Sequence, residues 1–486
     1  MTPTVAIVGA GFGGIGLGAL LKKAGIDTFT IYEKAERVGG AWWHNQYPGA
    51  EVDTVSYVYS YPFKPNGWTR THAKQAELQA YLEDCVIDFG LRDHLKVATA
   101  VESAVWDDKL HRYTLRLSTG ETAECHVLVC ATGFLNIPKY PSWPGLDDFQ
   151  GPKFHTARWE PEHDLSGKTV AVVGTGSTAT QVVPELADVV GKLYLFQREP
   201  GWIIPKGERD YTVEERTRLA NPLHYRIARL KWSWDMEKRT WRGAPWRPGS
   251  DANELGRQGA LAFIEKELAD RPELRKAVTP DYPFWGKRLI LNSTFYSVLK
   301  RPNVELVPCA IASVTPTGLV DEDGVERYVD ALVMATGFST TDYLGTIDVH
   351  GVGGRRLKDK WSGEPRAFLG ITVPDFPNFY MMYGPGTNST DIVSMLLHQG
   401  RYIVRAIKRM TRRQITALEV KADWCDLYDT WLVSRMSNTS WAIADNYYKS
   451  ATGKIVTQWP FSPGVYGVLT QALGHRSLSV REIEGA

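Results

Sequence analysis

Short apolar runs closed by glycine punctuate this chain and set its order. Val5-Ala-Ile-Val8 is the first; it ends in Gly9-Ala-Gly11-Phe-Gly-Gly14, after which Leu17, Leu20 and Leu21 recur at helical spacing toward Lys23 and Gly25. A continuous apolar run of this length predicts a buried strand, and the pattern after it predicts a helix. Phe29-Thr-Ile-Tyr32 is the next strand, and it closes on an acid, Glu33. The order returns far downstream as Thr169-Val-Ala-Val-Val173, Gly174-Thr-Gly176-Ser-Thr-Ala179, a helix carrying Val182, Val183 and Leu186, and the strand Leu193-Tyr-Leu-Phe196. Two more apolar strands end in one tripeptide, Ala131-Thr132-Gly133 and Ala335-Thr336-Gly337, and they bracket the second unit. Strands alternating with helices predict an α/β protein, here with two Rossmann-like dinucleotide-binding domains.

Composition narrows the class without deciding it. A chain of 486 residues is long enough for two or three domains, and 56 Lys and Arg against 55 Asp and Glu give no charge imbalance toward nucleic acid or an anionic surface. The N-terminus enters a strand without a basic leader and no apolar run of about 18 residues occurs, so a soluble, cytoplasmic protein with no integral membrane segment is expected. Cys85, Cys125, Cys130, Cys309 and Cys425 contain no CxxC pair, which argues against a disulfide scaffold, a redox dithiol and a zinc site together. Buried free thiols and no metal are expected. No motif speaks to oligomeric state.

The glycine loops carry chemistry because their surroundings are complete. A strand, a GxGxxG turn, a helix and a second strand ending in a carboxylate place a pyrophosphate at the helix N-terminus and a ribose hydroxyl on the acid. Gly9, Gly11, Gly14 and Glu33 therefore point to FAD. The second unit, with Gly174, Gly176 and Ala179, ends in Gln197-Arg198 instead of an acid. A guanidinium suits a 2′-phosphate, so NADPH is expected there. Glu199 follows at once and opposes that charge, which leaves a relaxed NADH/NADPH preference open.

Between the first Ala-Thr-Gly and the second glycine loop stands Phe149-Gln-Gly151-Pro-Lys-Phe-His155-Thr-Ala-Arg-Trp159-Glu160. Here the chain resembles the type I Baeyer–Villiger monooxygenases, within the class B flavin-dependent monooxygenases. Their fingerprint FxGxxxHxxxW is matched by Phe149, Gly151, His155 and Trp159, and Glu160 departs from the Pro or Asp that follows it. A second family pattern, GGxWxxxxYPGxxxD, is matched throughout from Gly39 and Gly40 through Trp42, Tyr47, Pro48 and Gly49 to Asp53. The resemblance runs from about residue 4 to about residue 475 and takes in Tyr282-Pro-Phe-Trp-Gly-Lys287-Arg288 and Trp459-Pro460.

The resemblance implies that a C4a-peroxyflavin converts a ketone into an ester or lactone, with O2 and NADPH as co-substrates. It makes Arg288 the fixed cation beside the flavin and Asp53 the carboxylate that holds it, both catalytic. It puts Gly40, Trp42, Thr336 and Asn388 at the flavin and Lys287 with Arg198 at the NADP 2′-phosphate. His155 and its segment become a domain linker, conformational and not acid–base. Gln46 and Glu51 stand where members commonly carry Arg, so a weakened positive field is expected in that loop.

The expected division is a discontinuous FAD domain, residues 1–143 and 340–486, and an NADP domain, residues 144–339, with a helical insertion about 208–280. Inside the insertion, Leu223, Ile227, Leu230 and Trp234 recur at helical spacing, with Trp232, Trp241 and Trp246 among basic residues. Tryptophans covering the core are the favoured reading, a membrane-surface or substrate-entry segment the sharper one. Trp441 is expected at the substrate pocket. The rivals for function are a heteroatom oxygenase making N- or S-oxides on the same scaffold, a pyridine-nucleotide reductase, and a redox-sensing flavoprotein.

Overall fold

The apolar runs form strands buried along nearly their whole length. A computed structural model describes residues 2–474 and 476–481; residues 482–486 of the expected second FAD segment lie outside them. Val5–Val8 pairs in parallel with Phe29–Tyr32 on one side and Val127–Cys130 on the other. Leu95–Lys96 and Phe379–Met381 complete this five-stranded sheet, so a strand from late in the chain closes the sheet begun at its start. The second parallel sheet also has five strands, in the order Val304–Val307, Lys192–Phe196, Thr169–Val173, Ala331–Met334, Lys153–His155. An antiparallel layer from Val101–Asp107, Arg112–Leu117 and Thr122–Cys125, joined by Asp348–His350, packs against the first sheet.

The repeated tripeptide has a steric cause. The Ala131 N–H donates to the Val8 carbonyl at 2.8 Å, and the Ala335 N–H to the Val173 carbonyl at 2.9 Å. Each alanine carbonyl then lies against the first glycine of its turn. A Cβ on Gly9 (φ 105°) would come within 2.7 Å of the Ala131 oxygen, and one on Gly174 (φ 110°) within 2.6 Å of the Ala335 oxygen. Left-handed backbone and close approach both demand glycine there.

The segment 149–159 is an edge strand and its flanks. Phe149 packs with Ala171, Val173 and Leu332 on the second sheet, and a Cβ on Gly151 would lie 2.3 Å from the Asp330 carbonyl and 2.9 Å from the Phe149 ring. His155 ends the strand in register with Met334, whose strand runs directly into Ala335-Thr336-Gly337. Trp159 meets Phe154 edge-on at 5.0 Å. Beside them the two passages between the sheets pair with each other: Pro138 bridges Phe338, and the Lys139 N–H donates to the Gly337 carbonyl at 2.9 Å.

Four helices lie between Ile203–Ile204 and Ile290–Leu291: Val213–Ala220, Pro222–Thr240, Asp251–Glu267 and Pro272–Val278. Thr212 and Glu215 form a capping box, Asn221 accepts from the Leu223 and His224 amides, and Ser250 accepts from Asn253. The tryptophans here do not all cover the core, which corrects the favoured expectation. Trp246 is buried against Trp441, but Trp234 and Trp241 are exposed together with Leu223, Ile227 and Leu230. The side of Pro222–Thr240 that docks carries Tyr225, Arg229 and Thr240. Among the described residues, no helix is long and apolar enough to cross a membrane.

Gly151→Ala is expected to lower the melting temperature in differential scanning fluorimetry, by about 2 kcal/mol of destabilisation, because backbone must move to admit the methyl group. Gly259→Ala, where an added Cβ meets nothing within 4 Å on a helix, is the control and is expected to be neutral or slightly stabilising.

Candidate active site

Both glycine loops open on one cavity of about 1140 Å³ between the sheets, larger than a single small-molecule pocket. Gly9, Gly11, Glu33, Gly40, Trp42 and Asp53 line it from the first unit. Gly174, Gly176, Arg198, Lys287, Arg288 and Thr336 line it from the second. Gly11 caps the helix Phe12–Lys23 and Gly176 the helix Ser177–Ala187, neither with a side-chain cap, so first-turn amides and the positive end of each dipole are left for a ligand. A Cβ on Gly176 would meet no protein atom within 4 Å, so the backbone is bare toward the cavity. The buried Glu33 carboxylate accepts from the Ala10 amide at 2.7 Å and the Ala35 amide at 2.9 Å, which orients it and leaves each oxygen a further lone pair. These are two anion-binding cradles, and the dinucleotides fit them.

Gly14 and Ala179 support the loops from behind. A Cβ on Gly14 would fall 1.8 Å from the Gly9 carbonyl, whereas Ala179 is accommodated fully buried. Gly40 (φ 57°) lies against the other loop, its Cβ position 2.9 Å from Gly11 Cα. Trp42 Nε1 donates to the Tyr59 hydroxyl at 3.2 Å, and the Thr336 hydroxyl donates to the Lys139 carbonyl at 2.6 Å.

At the centre of the cavity wall, Arg288 Nη2 lies 3.1 Å from Asp53 Oδ2, joining residues 235 positions apart. Burial works against the Arg288 charge, but the Asp53 carboxylate and the Tyr447 and Tyr448 hydroxyls outweigh it and hold the guanidinium above its ordinary range. The cation is permanent. Its turn is tightly built, with Trp285 at φ 67° and the Gly286 carbonyl accepting from Asn446 Nδ2 at 2.8 Å. On the other side of Asp53 sits a group that no motif marks. Lys206, only 3% exposed, places Nζ 3.9 Å from Asp53 Oδ1 and 2.7 Å from Glu51 Oε1. Arg70 approaches Glu51 at 3.7 Å. Where a weakened positive field is expected, Glu51 meets two cations brought from elsewhere in the chain, each shared with another carboxylate.

Lys287 and Glu199 form an ion pair, so Arg198, exposed at the cavity, is the uncommitted cation of the second loop. Asn388 lies behind the wall. It accepts from the Tyr383 hydroxyl at 2.6 Å and donates to Gln458, and Tyr383 takes its place at the cavity. Trp441 is likewise corrected: it is 2% exposed, packed between Trp246 and Tyr448, and not on the cavity wall.

His155 is fully buried beside Tyr140 and Phe338, with its Nδ1 accepting from the Ala157 amide at 3.0 Å. Burial lowers it to about 4; the Gly337 carbonyl opposes this without forming a hydrogen bond of good geometry, and Arg158 adds to it. Neutral and fully buried, it sits directly behind Ala157 and Phe338, which line the cavity. Cys85, Cys125, Cys130 and Cys425 are buried free thiols, with burial raising Cys85 and Cys125 to about 12.

Residues 6–224 match the family described as pyridine nucleotide-disulphide oxidoreductase. A protein of Pseudomonas aeruginosa named Baeyer–Villiger monooxygenase is 37% identical over 463 residues, covering 94% of this chain and 87% of the relative. One of the same name from Streptomyces coelicolor is 36% identical, covering 94% and 88%. Among solved structures, open cyclohexanone monooxygenase is 28% identical with a TM-score of 0.86 and covers 99% of both chains. Oxidized steroid monooxygenase bound to NADP is 28% identical with a TM-score of 0.88, covering 99% of this chain and 100% of that one. OTEMO complexed with FAD and NADP is 25% identical with a TM-score of 0.90, at the same coverage.

Lys206→Met leaves two nearly buried carboxylates without their shared cation and is expected to destabilise the FAD-loaded protein by about 3 kcal/mol in urea titrations. Glu51→Gln in the same chain is expected to recover most of that loss. The folded-state pKa of His155 lies below its ordinary 6.5, so protonation favours the unfolded chain. Its effect on stability is absent above about pH 6.5, appears as the pH falls through that value and levels off near pH 4, amounting to about 3 kcal/mol. His155→Gln is therefore expected to flatten the acid limb of stability measured against pH.

Proposed function

Since the chain belongs to the Baeyer–Villiger monooxygenases, FAD-containing, NADP-binding enzymes of the class B flavin-dependent family, we propose that it inserts one oxygen atom of O2 beside a ketone carbonyl, giving an ester or lactone. NADPH is the reductant in this reading. When bound, FAD supplies the chemistry: it takes the hydride and passes electrons to dioxygen. FAD is held by residues 1–143 and 340–486 and NADP by residues 144–339.

Each residue then has a physical task. Gly9, Gly11 and Gly14 let backbone approach one pyrophosphate, with the first-turn amides of Phe12–Lys23 donating to it, and Glu33 accepts from a ribose hydroxyl. Gly174, Gly176 and Ala179 do the same for the second dinucleotide. Arg198 binds the 2′-phosphate by charge-assisted hydrogen bonds. Lys287 contributes less than its position suggests, because Glu199 already holds it. Gly40, Trp42 and Thr336 shape the flavin side of the cavity, and Asn388 acts through Tyr383.

The observation that carries the reading is the Arg288–Asp53 pair at the wall of a cavity shared by both loops. Oxygen transfer to a carbonyl develops negative charge on oxygen, and a preorganised guanidinium stabilises that charge without reorganising at the moment of reaction. Arginine suits the task because it keeps its proton throughout the working pH range. Asp53 fixes the direction of the guanidinium, and Lys206 on its far side shares the carboxylate's charge, so Arg288 is oriented without being fully neutralised. Phe149, Gly151, His155 and Trp159 couple the second sheet to the crossings as the coenzyme shifts.

Arg288→Ala is expected to lower ketone oxygenation by about 100-fold or more while NADPH oxidation continues, so that coupling of product to coenzyme collapses. Gas chromatography of the ester against NADPH consumed measures this ratio. An unchanged ratio would transfer the assignment to an oxygenase that works without a fixed cation, or to a reductase.

A further inference from the structure

The helix Pro222–Thr240 turns an apolar row to solvent. Three of its polar side chains anchor the opposite side. Arg229, 7% exposed, donates to the carbonyls of Val58 and Ser60 at 2.9 Å each, the Tyr225 hydroxyl meets Ser60 Oγ at 2.6 Å, and Glu237 accepts from the Gly464 amide at 2.7 Å. Its apolar side chains face solvent: Leu223 is 65% exposed, Ile227 54%, Leu230 69%, Trp234 64% and Trp241 52%. Spacings of four, three, four and seven put all five on one line along a helix about 28 Å long. An apolar row of this extent, held out by a helix bolted down through three buried polar contacts, marks an interaction surface.

Charge selects the occupant. Arg226, Lys231, Lys238, Arg239 and Arg242 are exposed beside the row, with Lys238 stacked over Trp234 at 5.4 Å and Arg242 over Trp241 at 5.0 Å. The stretch 222–242 holds six Lys and Arg against two acids in a chain that is otherwise balanced. Of those acids, Asp235 pairs with Lys238 at 3.7 Å and Glu237 is turned to Gly464. A second copy docking about a twofold axis would set these cations against themselves. An apolar row with tryptophans, flanked by cations in excess of their acidic partners, matches the boundary between acyl chains and anionic headgroups. We propose that this face of the helix is a docking surface for an anionic phospholipid bilayer, on which the protein lies peripherally.

The test is flotation of the full-length FAD-loaded protein with extruded vesicles, of phosphatidylcholine alone and of phosphatidylcholine with about 30% phosphatidylglycerol. Binding is expected to be at least about tenfold greater on the anionic vesicles and to fall steeply when salt is raised from about 0.1 to 0.5 M. Leu230→Glu/Trp234→Glu is expected to abolish it, with flavin absorbance and melting temperature unchanged because both side chains are exposed. Arg226→Glu/Lys238→Glu, which leaves the apolar row intact, is expected to remove the preference for anionic lipid. Failure to float on either composition, or binding unaltered in both variants, would overturn the proposal. So would a dimer in light scattering that Leu230→Glu/Trp234→Glu dissolves while vesicles bind neither form, which would give the face to a second copy.

Discussion

A guanidinium and a carboxylate that are partly screened from water attract each other strongly, and the Arg288–Asp53 pair puts that attraction at the boundary of two sheets. Asp53 comes from the turn that follows Tyr47-Pro48-Gly49 in the first unit, and Arg288 from the loop that re-enters the second sheet's side of the molecule. The neighbouring contacts read as bolts that keep the two within reach. Tyr47 donates to Gln181 at 2.8 Å, Gln181 donates back to the Glu51 carbonyl at 2.9 Å, and Lys206 ties the segment after Ile203–Ile204 to Glu51. The left-handed Trp285 packs edge-on against Trp246 and Phe284, contacts that help to hold the turn.

What was legible in the sequence was whatever backbone sterics force. Gly9 and Gly174 have no substitute because an alanine carbonyl lies under each, so the glycine loops and the Ala-Thr-Gly repeats report one contact made twice. The same holds for Gly151 beneath the Phe149 ring. Lys206 was illegible for the opposite reason: in Pro205-Lys-Gly-Glu-Arg-Asp210 it looks like any solvated charge, and only the fold carries it to Glu51 and Asp53. Its partner Glu51 stands out in the sequence as a departure from Arg, but the cations that meet it, Lys206 and Arg70, come from segments that sequence spacing does not connect to it. Asn388, expected at the flavin from the family resemblance, and Trp441, expected at the substrate pocket, each sit one layer behind the cavity wall.

The insertion shows a limit of another kind. Periodicity identified the face of Pro222–Thr240 that carries Leu223, Ile227, Leu230 and Trp234, but periodicity is silent on which face turns inward. Buried arginine decided it. Three carbonyls near Tyr57–Ser60 need donors, Arg229 supplies them, and the apolar row is left on the outside.

The two passages between the sheets run side by side, bridged at Pro138 and Phe338, with the Lys139 N–H donating to the Gly337 carbonyl and the Ser339 N–H to the Ile137 carbonyl. A ribbon of two paired strands twists easily, but it neither stretches nor slides without losing its ladder. A swing about a line through residues 138 and 338 would keep these bonds, and the His155 ring lies beside that line between Tyr140 and Phe338. Mechanically the pairing makes rotation the motion that this joint admits at least cost, because rotation alone leaves both bonds in place.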